Sequence, residues 1–334
     1  MILVTGGTGL IGAHLLLYLS RKGIKTKAIY RDEASIAKTQ NLFKASSVSP
    51  GELMDLITWV KADVTDITSL EPAFKDVTHV YHTAAVVSFN PKDRELMKAV
   101  NVEGTANMVN LALDNGIEKF IHVSSIAALG SYDNPITEET HWNWKEAHSD
   151  YAVSKYLSEM EVWRAGQEGL PMVILNPSVV IGAHFWHKGI GMMIERINKG
   201  LKYYPPGGNG FVDVWDIVKA MTQLMGGDIT NESFIISPYD IRYKQLLDSM
   251  AHFLGKKAPY KPLNKSVAYM LYLSSRFYAM INPKAEPLSK ELMLETFFQF
   301  PHYSSEKLVK ALDFSFIPFE ASMQNLITQY KKIH

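Results

Sequence analysis

The segment Thr5-Gly6-Gly7-Thr8-Gly9-Leu10-Ile11-Gly12 limits the possible folds more than any other feature of the chain. It follows the apolar run at residues 2–4 and opens a helical pattern over residues 12–22. Glycines 6, 9 and 12 each answer a steric need in a strand-to-helix turn. The first permits the tight turn, the second lets an anion approach the backbone, and the third lets the helix pack close to the sheet. The free N–H groups of the helix start then face that anion. Glycines alone are weak evidence, but this strand–turn–helix context is the one that dinucleotide binding requires.

The rest of the first half repeats the strand–helix alternation. Short apolar runs at residues 26–30, 57–62, 79–82 and 120–123 read as strands, and residues 94–115 as a helical stretch. Such alternation predicts a parallel sheet covered by helices on both faces, an α/β doubly wound Rossmann architecture. A further β-branched run spans residues 173–181, residues 182–206 read as irregular, residues 214–225 as a helix and residues 234–236 as a strand. From Lys244 onward helices and loops dominate. We therefore expect a Rossmann domain formed by residues 1–175 plus about 208–238. A smaller, mainly C-terminal substrate lobe takes about 176–207 plus 239–334.

Charge and composition narrow the function classes. Lys+Arg and Asp+Glu number 34 each in 334 residues, which gives no electrostatic reason to expect a nucleic acid partner. Cysteine is absent, so disulfides, thiolate catalysis and cysteine metal sites are excluded, and a cytoplasmic enzyme is expected. The N-terminal residues do not read as a secretory signal. No apolar run reaches the roughly 18 residues of a spanning helix, so stable membrane insertion is not expected. The nearest approach, residues 267–281, carries Arg276 and is expected to line or cover the second lobe, with membrane-surface association as the alternative.

Cofactor choice turns on the end of the second strand, Tyr30-Arg31-Asp32. A ribose 2′-hydroxyl calls for an acid there and a 2′-phosphate for a cation. Tyr30 stands at the acid position, Arg31 follows, and Lys38 can return its ammonium from the next helix. The reading is NADP(H), with NAD as the alternative; Asp32 and Glu33 could instead pair with Arg31 as a solvated cluster. Asp63-Val64 ends the third strand, where a carboxylate can accept from an adenine amino group or simply form a turn.

The catalytic candidates are Ser125, Tyr151 and Lys155. Tyr151 and Lys155 are four apart and share one helix face. A phenol with a pKa of about 10 is a poor neutral-pH acid–base catalyst, and a nearby cation favours its phenolate. Ser125 ends the fifth strand, where sites in open parallel sheets gather, and its hydroxyl can donate to a reacting carbonyl oxygen. Adjacent Ser124 points to the other side if the chain is still extended.

Taken together, the glycine motif, Asp63-Val64, His82-Thr83-Ala84-Ala85, Asn101-Val102-Glu103-Gly104-Thr105, Val123-Ser124-Ser125, Tyr151-x-x-x-Lys155 and Asn176-Pro177-Ser178 resemble the extended short-chain dehydrogenase/reductases. The resemblance covers about the first 215 residues. Within that family the chain looks most like the dihydroflavonol-4-reductase branch, through Arg31 with Lys38 and the segment at residues 174–182. It implies that Gly6, Thr8, Gly9, Leu10, Ile11 and Gly12 hold the dinucleotide and that Ala84 and Ala85 line its path. By the same resemblance Tyr151, Lys155, Pro177, Ser178 and Val179 meet the nicotinamide end, and Asn101 supports the site from behind. A homodimer through the helical stretches at 94–115 and 152–168 is implied by the family alone.

The expected activity is interconversion of a carbonyl and an alcohol on a small apolar or aromatic substrate. Val86, Val87, Phe89, Trp186, His187 and Tyr203 are the candidate wall, though aromatic residues equally often pack a core. No metal is expected, since His187 has only His184 nearby. Two rivals stand. One is a nucleotide-sugar epimerase or dehydratase with bound NAD, whose members commonly carry an arginine where this chain has Gly208-Asn209-Gly210. The other is a non-catalytic NADP sensor, which has no need of a Ser–Tyr–Lys set.

Overall fold

The computed structural model describes residues 1–130, 135–186, 189–282 and 297–333. Its first half is a regular alternation: β1 (Ile2–Thr5), α1 (Leu10–Arg21), β2 (Thr26–Tyr30), α2 (Ile36–Ser46), α3 (Pro50–Met54), β3 (Ile57–Lys61), α4 (Ile67–Phe74) and β4 (His79–His82). There follow α5 (Arg94–Met97), α6 (Gly104–Asp114), β5 (Lys119–Val123), α7 (Asp150–Gln167) and β6 (Met172–Pro177). The remainder is β7 (Val179–Ile181), α8 (Ile190–Asn198), β8 (Tyr203–Tyr204), β9 (Gly208–Asp213), α9 (Val214–Gly226), β10 (Glu232–Ile236), β11 (Tyr239–Arg242), α10 (Tyr243–Leu254), β12 (Lys261–Pro262), α11 (Lys265–Ile281), α12 (Glu306–Leu312) and α13 (Phe319–Ile333).

Seven strands form one sheet in the order β3-β2-β1-β4-β5-β6-β10, with every pairing parallel. The order reverses between β1 and β4, and ligands in such sheets bind in the crevice at the carboxyl ends beside that point. Alternate residues feed opposite layers. Val4, Ile121 and Val123 pack with Leu16 of α1 and Met221 of α9, whereas Leu3 and Phe120 pack with Phe74, Met108 and Val162 on the other face.

Several sequence expectations need correction. The run at 173–181 is two strands in different sheets: Pro177 ends β6, and β7 joins the three-stranded sheet β11-β9-β7. Ser178 N–H makes the last bond of the β6–β10 ladder, donating to Ile236 O at 3.0 Å, and Val179 then pairs with Phe211 of β9. Because β9 also belongs to that second sheet, the segment 208–238 is divided between the two sheets. Residues 182–206 are not wholly irregular, since Ile190–Asn198 is helical and buries Ile194 and Ile197 against α10 and α13. The helical stretch at 94–115 is interrupted by a π-helical turn, Lys98–Glu103. Residues 267–281 form the expected helix, α11, seated on the second lobe. It rests on Leu263 and Phe297 through Val267, Ala268 and Tyr272, and leaves much of its apolar surface in solvent. Among the described residues no helix is long and apolar enough to cross a membrane.

The glycine turn is packed too tightly for any side chain at two of its three positions. Gly6 has φ +69°, and a Cβ there would lie 2.6 Å from Thr83 Oγ1; a Cβ on Gly12 would collide with the Gly6 carbonyl. Gly12→Ala is therefore predicted to destabilise the fold by about 1–3 kcal/mol. Gly51→Ala, where nothing lies within 4 Å and the backbone is helical, should be neutral or slightly stabilising. Denaturant or thermal unfolding of the two variants checks the contrast.

Candidate active site

The crevice above β1, β4 and β5 is built on buried polar groups. His82, the last residue of β4, ties three elements together. Thr5 Oγ1 stands 2.7 Å from its Nδ1, and Thr105 Oγ1 stands 3.0 Å from its Nε2. Thr105 donates its own proton to Asn101 O at 2.6 Å, so it must accept from His82 Nε2–H, leaving Nδ1 to accept from Thr5. Burial pushes the His82 pKa down to about 3, which keeps this neutral tautomer, and the Lys155 charge adds to the effect. Thr5 Oγ1 in turn accepts from the N–H groups of Thr83 and Ala84, each at 3.2 Å, and so fixes the chain as it leaves β4. In the sequence His82 is marked only by the His82-Thr83-Ala84-Ala85 motif, since β4 begins with a second histidine, His79.

Asn101 sits in the π-helical turn, a feature frequent at functional sites because it re-aims one side chain. Its amide accepts from Val86 N–H at 2.7 Å and donates to Val86 O at 2.9 Å and Ser154 Oγ at 2.9 Å. This bidentate grip holds the loop after β4 against the first turns of α7. The resemblance implies that Asn101 supports the site from behind, and its bond to Ser154 reaches across 53 residues.

Tyr151 lies in the first turn of α7, whose start is capped by Ser149 Oγ accepting from Ala152 N–H at 3.1 Å. Ser125 Oγ accepts from Ala127 N–H at 3.1 Å and lies near the Tyr151 phenol. Burial pushes that phenol up, and the Ser125 hydroxyl acts in the opposite sense. Lys155, one turn on, is 1% exposed and donates from Nζ to Val123 O at 3.0 Å. Burial lowers its pKa to about 8, against which Glu159, a further turn along, raises it. Glu159 is itself driven up to about 7 by burial, with the Ser124 hydroxyl, the Asn176 amide and Lys155 opposing. Asn176 Nδ2 donates to Glu159 Oε1 at 2.5 Å and to Ser125 O at 3.1 Å. Neither Glu159 nor this role of Asn176 was foreseen. A glutamate four residues after Lys155 on the same helix face was the missed cue.

The dinucleotide cradle fits its expected occupant. Gly9 caps α1 without a side-chain hydrogen bond, so the N–H groups of the helix start are open to an anion. Gly9 is exposed, Thr8, Leu10 and Ile11 are half-buried, and the space around Gly6 and Gly12 admits no Cβ. Arg31 follows β2, Lys38 lies in the first turn of α2, and both are exposed. Arg31 lies 3.9 Å from Asp63 Oδ2, while Asp63 Oδ1 accepts from Thr65 N–H and Oγ1, both at 2.9 Å. Asp32 does not pair with Arg31; it caps the following turn by accepting from Ala34 N–H at 3.1 Å. Val64 is buried against Gly104, and Ala84 and Ala85 line the exit from β4. Pro177 and Val179 flank Ser178, where the chain changes sheets.

The candidate substrate residues separate. Phe89 is brought to Tyr151, with ring centroids 6.1 Å apart, and Val87 is exposed on the same loop. Trp186 is not part of an open wall: it is buried in the core of the second lobe, edge-on to Tyr330 at 5.3 Å. Tyr203 lies on the two-stranded β8–β12 sheet with Lys261 Nζ 5.9 Å from its ring, and it is exposed. His187 lies outside the described residues. Gly207, Gly208 and Gly210 run directly under Phe297, Phe300 and Tyr303, and a Cβ on any of the three would collide with its neighbours.

The model of the NAD dependent epimerase/dehydratase family matches residues 2–236. A sterol demethylase protein B from Methylococcus capsulatus is 29% identical over 261 residues, covering 77% of this chain and 75% of the relative. A putative dihydroflavonol 4-reductase from Synechocystis is 30% identical over 279 residues, covering 77% and 73%. The crystal structure of gox2253 superposes with a TM-score of 0.81 at 26% identity, covering 100% of this chain and 98% of that one. UDP-glucuronic acid 4-epimerase from Bacillus cereus, solved with UDP-glucuronic acid and NAD, has the same fold at a TM-score of 0.78 and 18% identity, covering 100% and 99%. With its parallel Rossmann sheet, its glycine turn and this match over most of its length, the chain belongs to the NAD-dependent epimerase/dehydratase family, the extended short-chain dehydrogenase/reductases.

Proposed function

We propose that this protein is an NADP(H)-dependent reductase/dehydrogenase that interconverts a carbonyl and an alcohol on a small, apolar or aromatic substrate. The observation that carries the reading is the Ser125 hydroxyl near the Tyr151 phenol with the Lys155 ammonium buried one helical turn away. In the reductive direction the substrate oxygen sits between Ser125 and Tyr151. Ser125 donates to the oxygen as negative charge grows on it. Tyr151 gives it a proton, and Lys155 favours the resulting phenolate. The dinucleotide, when bound, supplies the hydride. Gly6, Gly9 and Gly12 would hold its pyrophosphate at the start of α1, Arg31 and Lys38 its 2′-phosphate, and Asp63 and Val64 its adenine. Ala84, Ala85, Pro177, Ser178 and Val179 would flank the nicotinamide side, and Lys155 the adjoining ribose.

The Phe89 ring beside Tyr151 favours an apolar or aromatic substrate. The tight packing around Gly208 and Gly210 speaks against a nucleotide-sugar epimerase, since no arginine clamp for a diphosphate can be built on those backbones. The neighbouring cation, Arg242, lies 4.7 Å from the Phe300 ring centroid. A non-catalytic sensor leaves the Ser125–Tyr151–Lys155 arrangement without a purpose. The same reading includes a cytoplasmic homodimer through α5, α6 and α7, where Leu96 and Met160 are exposed.

Three outcomes test these assignments. Tyr151→Phe should lower kcat by about 10²–10⁴-fold while cofactor affinity changes little, measured by steady-state rates on an aldehyde and ketone panel and by NADPH fluorescence titration. Arg31→Ala should weaken NADPH binding by roughly 10–100-fold and leave NADH binding nearly unchanged; equal losses for both would remove Arg31 from the 2′-phosphate. Lys155 is charged below about 8, so the cofactor dissociation constant should rise as pH passes that value, by up to about tenfold per unit. Lys155→Met should bind weakly at all pH values and show no such rise.

A further inference from the structure

Helix α11 has an unusual surface. Ala268, Val267 and Tyr272 seat it on the second lobe. On the opposite side, at helical spacing, Met270, Leu273, Phe277, Met280 and Ile281 are 60%, 48%, 65%, 81% and 69% exposed. Ordinary surfaces show single exposed apolar residues, not a continuous stripe along one helix. Its 17 residues span about 25 Å, too short to cross a bilayer but long enough to lie along one.

The charges that precede and lie within α11 have one sign. Between Asp248 and Asn282 the sequence holds Lys256, Lys257, Lys261, Lys265 and Arg276 and no acidic residue, in a chain whose net charge is zero. All four lysines are exposed, and among the described residues none has a carboxylate within ion-pair distance. Tyr260, 52% exposed, stands 4.9 Å from Lys257 Nζ and 5.8 Å from Lys261 Nζ, so amphipathic rings interleave with the cations at the start of α11. Apolar stripe, tyrosine border and exposed lysines are the parts of an interfacial anchor.

We infer that α11 and the lysines preceding it dock the protein, in plane, on an anionic phospholipid surface. A second copy of the chain fits less well, because a two-fold contact would set the same cations against themselves. The inference does not depend on the catalytic reading.

The test is flotation of the purified full-length protein with phosphatidylcholine vesicles, with and without phosphatidylserine. Binding should require phosphatidylserine and fall with added salt, since each lysine near the surface contributes about fivefold. Two variants separate the components: Phe277→Ser with Met280→Ser and Ile281→Ser, and Lys256→Glu with Lys257→Glu, Lys261→Glu and Lys265→Glu. Each should lower vesicle affinity by more than about tenfold while the thermal midpoint and solution mass stay as in the parent, since all the altered side chains are exposed. Failure to float with phosphatidylserine, equal flotation with phosphatidylcholine alone, or undiminished flotation of either variant overturns the inference. A fall in solution mass of the serine variant overturns it as well, by assigning the stripe to self-association.

Discussion

A buried ammonium governs the architecture around the crevice. Lys155 lies under the carboxyl ends of β5 and β6, almost without solvent, and such a charge persists only if polar partners surround it. The chain provides them from elements distant in sequence. Val123 O receives a hydrogen bond from the ammonium, Glu159 offers a carboxylate one turn along, and Asn176 steadies that carboxylate from β6. The Asn176 amide also donates to Ser125 O, so the strand end bearing one candidate hydroxyl is fastened to the group that balances the lysine. Ser158 Oγ, 3.5 Å from His122 Nε2, and the stacked His122–His82 pair continue this polar layer toward β4. Burial holds both imidazoles neutral, which keeps additional positive charge away from Lys155.

The same layer explains why the loop after β4 keeps its course. It leaves the sheet through Thr83 and Ala84, whose N–H groups are both taken by Thr5 Oγ1, and is then gripped at Val86 by Asn101. An ordinary helix over residues 94–114 would present that amide at another angle; the π turn supplies the difference. Phe89 reaches the Tyr151 ring from a loop whose backbone is fixed at Thr83, Ala84 and Val86. Orientation of a reacting oxygen depends on such fixed backbones more than on the side chains that touch it.

Much of this was legible in the sequence because it follows from short-range rules. The glycine spacing, the apolar runs and the i to i+4 relation of Tyr151 and Lys155 are local, and parallel pairing follows from the strand–helix alternation. What the sequence concealed was non-local or non-periodic. The run at 173–181 changes sheets at Ser178, and the switch of partner from β10 to β9 is a tertiary feature that the Asn176-Pro177-Ser178 segment alone does not specify. Residues 182–206 hide a helix behind an irregular flank containing His184 at φ +70°. Trp186 and Tyr203 carry the same side-chain chemistry as Phe89, but tertiary packing sends one to a core and the other to the surface. The orientation of α11 could not be read from periodicity, since apolar side chains stand on both its seated and its exposed faces.

The central claim is spatial: the hydroxyls of Ser125 and Tyr151 and the amine of Lys155 converge where a nicotinamide ring binds. A crystal structure of the complex with NADP⁺ tests it most directly. The account predicts the ring in the crevice within reach of the Tyr151 phenol, with Lys155 on the adjoining ribose and Arg31 on the 2′-phosphate. A ring held outside the crevice, or a dinucleotide bound with Tyr151 beyond hydrogen-bonding distance of any position open to a substrate oxygen, would contradict it.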